Sequence, residues 1–125
     1  MKNKKYFISI IGPVALGIGL LTYSGFQSGP TNLGPFASCL KDKGVLFYGA
    51  FWCPHCQKQK AMFGNAADQL PYIECSTPDG QNQIQECIDK NIRNYPTWAF
   101  PGGSRLSGEI PLQTLADKSG CTLPK

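Results

Sequence analysis

Short apolar runs alternate with amphipathic stretches along most of this chain, and the two patterns predict different elements. Apolar runs of strand length, bounded by Gly, Pro or Asn, predict four strands at 45–50, 72–75, 97–100 and 105–107. Apolar positions that recur every three or four residues predict four helices at 34–41, 54–70, 81–91 and 111–119. Strands that alternate with helices before a terminal hairpin predict an α/β domain with a mixed sheet and helices on both faces.

Each of the longer predicted helices has one apolar face, which should pack inward. The inward residues are expected to be Cys56, Phe63, Ala67 and Leu70 in the second helix, Ile84, Cys87, Ile88 and Asn91 in the third, and Leu112, Leu115 and Ala116 in the last.

The first 24 residues differ from the rest of the chain. Three lysines in the first five residues precede an 18-residue stretch, 6–23, that carries no charge. A basic head followed by an apolar run is typical of an export signal or a signal-anchor. We expect an uncleaved single-span anchor, with a cleaved signal peptide as the alternative, because this length lies between the two classes. The positive-inside preference would keep the head in the cytoplasm and send a linker, 25–33, and one domain, 34–125, across the membrane.

Charge and cysteine content narrow the class of the domain. The chain has 12 basic and 8 acidic side chains, and removing the three lysines of the head leaves nine against eight. A nucleic-acid role is disfavoured, since it would need a basic face. All six cysteines lie beyond the leader, which indicates disulfide chemistry in an oxidising compartment, the periplasm or a lumen.

The six cysteines allow fifteen pairings, of which three remain if Cys53 and Cys56 form a redox pair. In one of the three, a Cys75–Cys87 bridge would join a strand end to the next helix, and a Cys39–Cys121 bridge would join the first and last helices of the domain. We favour the bridge to Cys121 over a free Cys39, because a lone thiol outside the cytoplasm is open to misoxidation.

The stretch from Trp52 to Cys56 places two cysteines at the start of the second helix, a spacing suited to thiol–disulfide exchange. Unpaired N–H groups and the macrodipole at a helix N-terminus favour a thiolate at Cys53. Pro54 suits the first turn because it has no N–H, and a protonated His55 would add a cation beside the sulfur. A stabilised thiolate is a good leaving group, so the pair should donate disulfides. Cys53 is the predicted nucleophile and Cys56 the buried resolving thiol.

Pro96 begins the third predicted strand, some 40 residues after the cysteine pair. Only a few per cent of X–Pro bonds in folded proteins are cis. The Cys-x-x-Cys upstream nevertheless leads us to predict a cis bond here, which would leave the Tyr95 backbone free to bind an extended peptide. The side chains expected to face that peptide are Phe51, Trp52, Tyr95 and Thr97.

These motifs resemble those of a known family. The hexapeptide 51–56 together with Tyr95-Pro96-Thr97 resembles the thioredoxin fold, and Cys-Pro-His-Cys is similar to the active-site tetrapeptide of Dsb-type periplasmic oxidases. A closer resemblance is to the thioredoxin-like domain attached to bacterial vitamin K epoxide reductase homologues, and it rests on segments 36–40, 48–56, 74–76, 85–87 and 95–98.

The resemblance implies roles for residues and partners. It implies Cys53 as nucleophile, Cys56 as resolving thiol, Pro96 as the cis-proline and Cys75–Cys87 as a structural bridge. It further implies that a membrane quinone reductase oxidises this domain, which then oxidises reduced exported proteins. We expect that reductase to be a separate protein that uses the quinone, and the present chain to be a monomer without a cofactor of its own.

Phe47 marks a departure from the thioredoxins, which carry a buried acid six residues before the first cysteine. Glu74 or water could then take the proton of Cys56.

Two other hypotheses remain. The same fold could run in the opposite direction, as a disulfide reductase or isomerase. A binding module could instead use the Cys-x-x-Cys as metal ligands, but Cys75 and Cys87 are too far apart to form a second knuckle, which disfavours metal.

Overall fold

The computed structural model describes residues 32–125. The predicted signal or anchor, 1–24, and nearly all of the predicted linker, 25–33, lie outside the described residues. Within them, no helix combines the length and the apolar character needed to cross a membrane.

A four-stranded mixed sheet forms the centre of the domain. Its strands are β1 (Leu46–Gly49), β2 (Tyr72–Glu74), β3 (Thr97–Ala99) and β4 (Arg105–Ser107), in the spatial order β2-β1-β3-β4. Strand β1 is parallel to β2 and antiparallel to β3, which is in turn antiparallel to β4. The α/β class and the mixed sheet are therefore confirmed.

Four α-helices surround the sheet, namely α1 (Gly34–Asp42), α2 (Pro54–Ala61), α3 (Gln85–Asp89) and α4 (Leu112–Ser119). Helix α1 has a proline in its first turn, and the chain leaves it through Gly44, whose φ of 77° suits a residue without a Cβ. Helix α4 buries Leu115 and Ala116, with Leu112 partly buried, as the pattern predicts.

The two faces of the sheet pack against different helices, because successive strand residues point to opposite sides. Phe47 stacks on Trp98 with ring centroids 4.5 Å apart, in a main core that includes residues of α1 and α4. Tyr48 points the other way and packs with Cys87 and Ile92, so that α3 and its flanking loop cover the second face.

The second predicted helix is shorter than expected. The pattern predicted one helix over 54–70, but α2 ends at Ala61 and a 3₁₀ helix, Gly64–Gln69, follows. Gly64, the first residue of the 3₁₀ helix, has a φ of 51°, so an α-helix cannot continue through this residue. A 3₁₀ helix has three residues per turn in place of 3.6, so a different residue faces the core. Ala66 is buried, whereas Ala67, the predicted inward residue, is only partly buried.

The third predicted helix is also wrong in its first half. The pattern predicted a helix over 81–91, whereas Gln83 forms an isolated antiparallel bridge with Ser76 and α3 starts only at Gln85. A backbone engaged in that bridge cannot also be helical. Ile88, predicted to face inward, is 47% exposed, and Asn91 is exposed with a φ of 53°.

Candidate active site

Cys53 lies at the N-cap of α2, four residues after the end of β1, and Pro54 follows in the first turn. Its Sγ accepts a hydrogen bond from the backbone N–H of Cys56 at 3.2 Å, and its thiol donates to the backbone oxygen of Tyr95 at 3.7 Å. The N–H at the helix terminus stabilises negative charge on this sulfur. Cys53 is 4% exposed, so little of the residue is open to solvent.

Cys56 lies one turn into α2 and is 1% exposed. Both cysteines are thiols in this structure. Burial, followed by the hydrogen bond with the Cys53 side chain, raises the pKa of the Cys56 thiol from 9.0 to about 12. Cys56 therefore remains protonated at neutral pH unless a nearby base accepts its proton.

His55 is on the outside of the helix, and its contact was not predicted. Its Nδ1 lies 2.9 Å from Oε2 of Glu109, in the segment between β4 and α4, and 63% of its side chain is exposed. Among residues 32–125, the imidazole forms no other hydrogen bond. The contact with Glu109 holds the imidazole at the mouth of the site. Nothing in the sequence pointed to Glu109, since the two residues are 54 positions apart.

The loop before β3 borders Cys53 on the other side. The Tyr95–Pro96 bond is cis in the structure. Tyr95 is partly exposed, but Thr97, expected to face a peptide, is 3% exposed. The Thr97 hydroxyl donates to the backbone oxygen of Asn94 at 2.6 Å and lies 3.1 Å from Ser107 Oγ. The side chain of Thr97 thus anchors the loop and is not on the peptide-facing surface.

Two large aromatic side chains beside Cys53 are half exposed: Phe51 at 49% and Trp52 at 50%. The indole N–H of Trp52 donates to Ser76 Oγ at 3.0 Å, and its ring meets the Tyr95 ring edge-on with centroids 5.9 Å apart. Trp52 and Tyr95 form one wall of a cleft of about 440 Å³, closed on the far side by polar residues of the 80–83 loop. Trp98, in contrast, is wholly buried in the core.

The other four cysteines form two bridges in the structure. Cys75 is joined to Cys87, and Cys39 to Cys121. The first bridge connects the end of β2 to α3 and closes the 76–83 loop that lies against Trp52. Both bridges are therefore separate from the dithiol of the candidate active site.

Gln59 is a buried polar residue of α2 that the pattern did not single out. It is wholly inaccessible, and its Oε1 accepts from Ile110 N at 2.6 Å and from Trp98 Nε1 at 3.3 Å. Its Nε2 donates to the Ile110 oxygen at 3.0 Å. Gln59 thereby fixes α2 against β3 and against the segment that leads into α4. The one available signal was its spacing of three from Cys56, which its polar side chain concealed.

A groove of about 460 Å³ lies elsewhere, between Leu33, Met62 and Leu112. Its lining contains no cysteine and no charged side chain. The cleft of about 440 Å³ also lacks a lining cysteine, but Trp52 and Tyr95, which border it, are next to Cys53 in sequence and in hydrogen-bond contact with it, respectively.

Comparison with known proteins identifies similar sequences. The family profile described as Thioredoxin matches residues 34–118. The thiol-disulfide oxidoreductase LTO1 of Arabidopsis thaliana is 45% identical over 92 residues, which cover 70% of this chain and 24% of that protein. The chain thus spans about a quarter of the length of this relative.

Proposed function

This chain belongs to the thioredoxin family of thiol–disulfide oxidoreductases, and from that premise we propose that it donates disulfides to exported proteins through Cys53 and Cys56. The LTO1 relative carries the same enzyme class in its name. The proposal concerns the direction of the reaction, the substrates and the partner.

The difference between the two sulfurs is the observation that carries the proposal. A backbone N–H at the start of α2 donates to Cys53 Sγ, whereas Cys56 is buried with its pKa raised by that burial. Stabilising the thiolate stabilises the reduced form of the pair, and this makes its disulfide a stronger oxidant. The oxidised form of such a pair gives its disulfide readily to a substrate, and the resulting dithiol must then be oxidised again.

A membrane quinone reductase of the vitamin K epoxide reductase type is the proposed source of new disulfides. The proposal rests on the resemblance of the Cys-Pro-His-Cys and Tyr-Pro-Thr-Trp segments to the thioredoxin-like domains of that family. The basic, then apolar, start of the chain supports a location outside the cytoplasm, with residues 6–23 as anchor. The quinone would belong to the partner.

Disulfide transfer to a reduced, unfolded test protein examines the chemistry directly. The oxidised full-length chain should lose its Cys53–Cys56 bond as the test protein gains one, and Cys53→Ala should abolish this transfer. When Cys56→Ala is instead mixed with the oxidised form of the test protein, the Cys53 thiolate should attack the disulfide of that protein, release one of its sulfurs as a thiolate, and remain in a mixed disulfide because the resolving thiol is absent. Transfer that persists in Cys53→Ala would contradict the proposal.

The direction in the cell is tested by acid quenching, thiol alkylation and mass spectrometry of growing cells. An oxidised Cys53–Cys56 pair is expected if a partner recharges it continuously. A reduced pair, with Cys75–Cys87 still oxidised, would instead indicate a reductase or isomerase.

A further inference from the structure

The proton of Cys56 has no acceptor at the position where thioredoxins carry a buried acid. Phe47 occupies it and lies in the apolar core, stacked on Trp98 at 4.5 Å and edge-on to the Tyr72 ring at 5.2 Å. A resolving thiol that stays protonated attacks a mixed disulfide poorly, because the thiolate is the nucleophile. The proton must therefore leave by another route.

Tyr72, in β2, and Cys56, in α2, both border Gly49 at the end of β1. A Cβ placed on Gly49 would be 3.0 Å from Cys56 Sγ and 3.3 Å from Tyr72 Oη, so both atoms border the same glycine. Cys56 Sγ and Tyr72 Oη form no hydrogen bond within residues 32–125, and the absence of a side chain at Gly49 keeps open the space across which the thiol can turn toward the phenol. The ammonium of Lys60, on the same helix as Cys56, lies 3.4 Å from the centroid of the Tyr72 ring.

Glu74 continues this chain of groups toward solvent. The Tyr72 hydroxyl donates to Glu74 Oε2 at 2.8 Å. The other oxygen, Oε1, accepts from the backbone N–H groups of Phe51 at 3.2 Å and Ser76 at 2.9 Å. These bonds fix the carboxylate, and the partial exposure of Glu74 lets it exchange protons with water.

We propose that Tyr72 and Glu74 form a proton relay for Cys56. During oxidation of the dithiol, the Cys53 thiolate attacks a disulfide and forms a mixed disulfide, and one sulfur leaves. The Cys56 proton then passes to Tyr72 Oη while the phenol proton passes to Glu74 Oε2. The Cys56 thiolate attacks Cys53 Sγ, the Cys53–Cys56 bond forms, and the second sulfur leaves as a thiolate. When the disulfide is donated, Cys56 leaves as a thiolate and takes a proton back along the same path.

The electrostatics of the surrounding groups agree with this path. Burial raises the pKa of Cys56 and that of Tyr72, and the hydrogen bond to Glu74 raises the latter further, so both groups stay protonated until the thiol proton is transferred. The positive charge of Lys60 acts in the opposite direction on Cys56 and favours its thiolate. Cys53 on α2 and Tyr95 before β3 are the other titratable groups that face this cluster.

The relay rests on the proposed redox pair but not on the direction of electron flow. Acid-quenched reactions distinguish a failure of the relay from a failure of the redox pair. The reduced full-length chain is mixed with oxidised glutathione, quenched with acid at intervals and analysed by mass spectrometry. Attack by Cys53 produces a glutathione mixed disulfide, and attack by Cys56 then consumes it. Glu74→Gln and Tyr72→Phe should leave the first rate unchanged and slow the second on the order of 100-fold near neutral pH. Their second rate should rise more steeply with pH than that of the wild type, because hydroxide replaces the missing acceptor.

Glu86→Gln is the matched control, since it makes the same change at an exposed carboxylate of α3. Both of its rates should equal those of the wild type. An unchanged second step in both relay variants, or equal slowing of both steps, would overturn the relay alone. A wild-type chain that forms no mixed disulfide would overturn the proposed redox pair together with the relay.

Discussion

Cys53 and Cys56 are one helical turn apart, yet their surroundings give the two thiols opposite properties. The first receives an N–H hydrogen bond at the helix terminus, and the second lies in an apolar environment between α2 and the sheet. The local sequence explains the first environment, because any Cys-Pro at a helix start exposes the sulfur to unpaired N–H groups. The environment of Cys56 depends on tertiary packing, so the sequence predicted that this side chain faces inward but not which residues surround it.

The buried thiol of Cys56 predicts a pH dependence of stability. An unfolded chain releases this proton near the ordinary pKa of 9.0, whereas the folded protein retains it up to about 12. The unfolded state therefore binds fewer protons in that interval, and stability should fall as pH rises through it. Cys53→Ala keeps Cys56 a thiol without added reductant. Its free energy of unfolding in urea should drop more between about pH 8 and about pH 10 than that of Cys53→Ala/Cys56→Ala. Equal drops would contradict the prediction.

Local motifs predicted the residues of the site that are close in sequence, but not those that tertiary structure brings in. The tetrapeptide specified Cys53 and Cys56 because their chemistry depends on spacing along one helix. Glu109 could not be predicted, since a loop 54 residues away supplies it. The prediction that Thr97 faces a peptide was wrong for a similar reason. Its hydroxyl donates to the backbone oxygen of Asn94 and contacts Ser107 Oγ, and the second contact is not local in sequence.

At the scale of elements, α2 depends on a hydrogen-bonded contact with the rest of the domain. Gln59 supplies partners to both backbone groups of Ile110 and to the Trp98 indole. Its neighbour Lys58 is exposed and Lys60 is partly buried, whereas Gln59 is buried. Gln59 is therefore the polar side chain that this part of α2 directs toward the core. One buried amide group therefore hydrogen-bonds the redox helix to β3 and to Ile110.

Replacing Gln59 by leucine should destabilise the domain substantially. The change would leave the N–H and C=O of Ile110 and the N–H of Trp98 buried without partners, and each such group costs about 1–3 kcal/mol. We expect the free energy of unfolding to decrease by at least about 3 kcal/mol in denaturant titrations. Gln113→Leu, at an exposed position of α4, is the control and should change it by less than about 0.5 kcal/mol. A Gln59→Leu protein as stable as this control would contradict the prediction.

The two element boundaries that the sequence missed have different physical causes. The apolar period of 54–70 continues through Gly64, but that glycine adopts a positive φ and divides the segment into two helices. Residues 81–84 were predicted as helix, yet the antiparallel bridge from Gln83 to Ser76 requires an extended backbone there. At Gly64 the conformational freedom of glycine ends the α-helix, whereas at Gln83 a non-helical backbone contact outweighs local propensity.

At the scale of the whole molecule, the Cys39–Cys121 bridge encloses nearly all of the domain. The two residues are 82 positions apart in sequence, and their Cα atoms are 5.9 Å apart. A crosslink over so long a loop removes much of the conformational entropy of the unfolded chain. A domain of about 90 residues has a modest core and gains correspondingly from such a crosslink.

Removing this bridge should lower stability without abolishing the active site. Cys39→Ala/Cys121→Ala is expected to lose about 4 kcal/mol of unfolding free energy, as loop-closure entropy predicts for a loop of this length. Thermal and urea unfolding would measure the loss, while the mixed-disulfide reaction of Cys53 should proceed at the wild-type rate in protein that remains folded. A loss below about 1 kcal/mol would show that the crosslink constrains the unfolded chain little.

The same bridge determines how the domain bears tension. A pull applied to the chain ahead of α1 reaches Cys39 within that helix, and the covalent link there passes the load to Cys121, beyond α4. Strands β1 to β4, the helix of the reactive cysteines and the loop of Pro96 all lie inside the closed ring of chain. Force between the two ends of the domain therefore bypasses the catalytic unit, and only the short segments outside the ring can be drawn out.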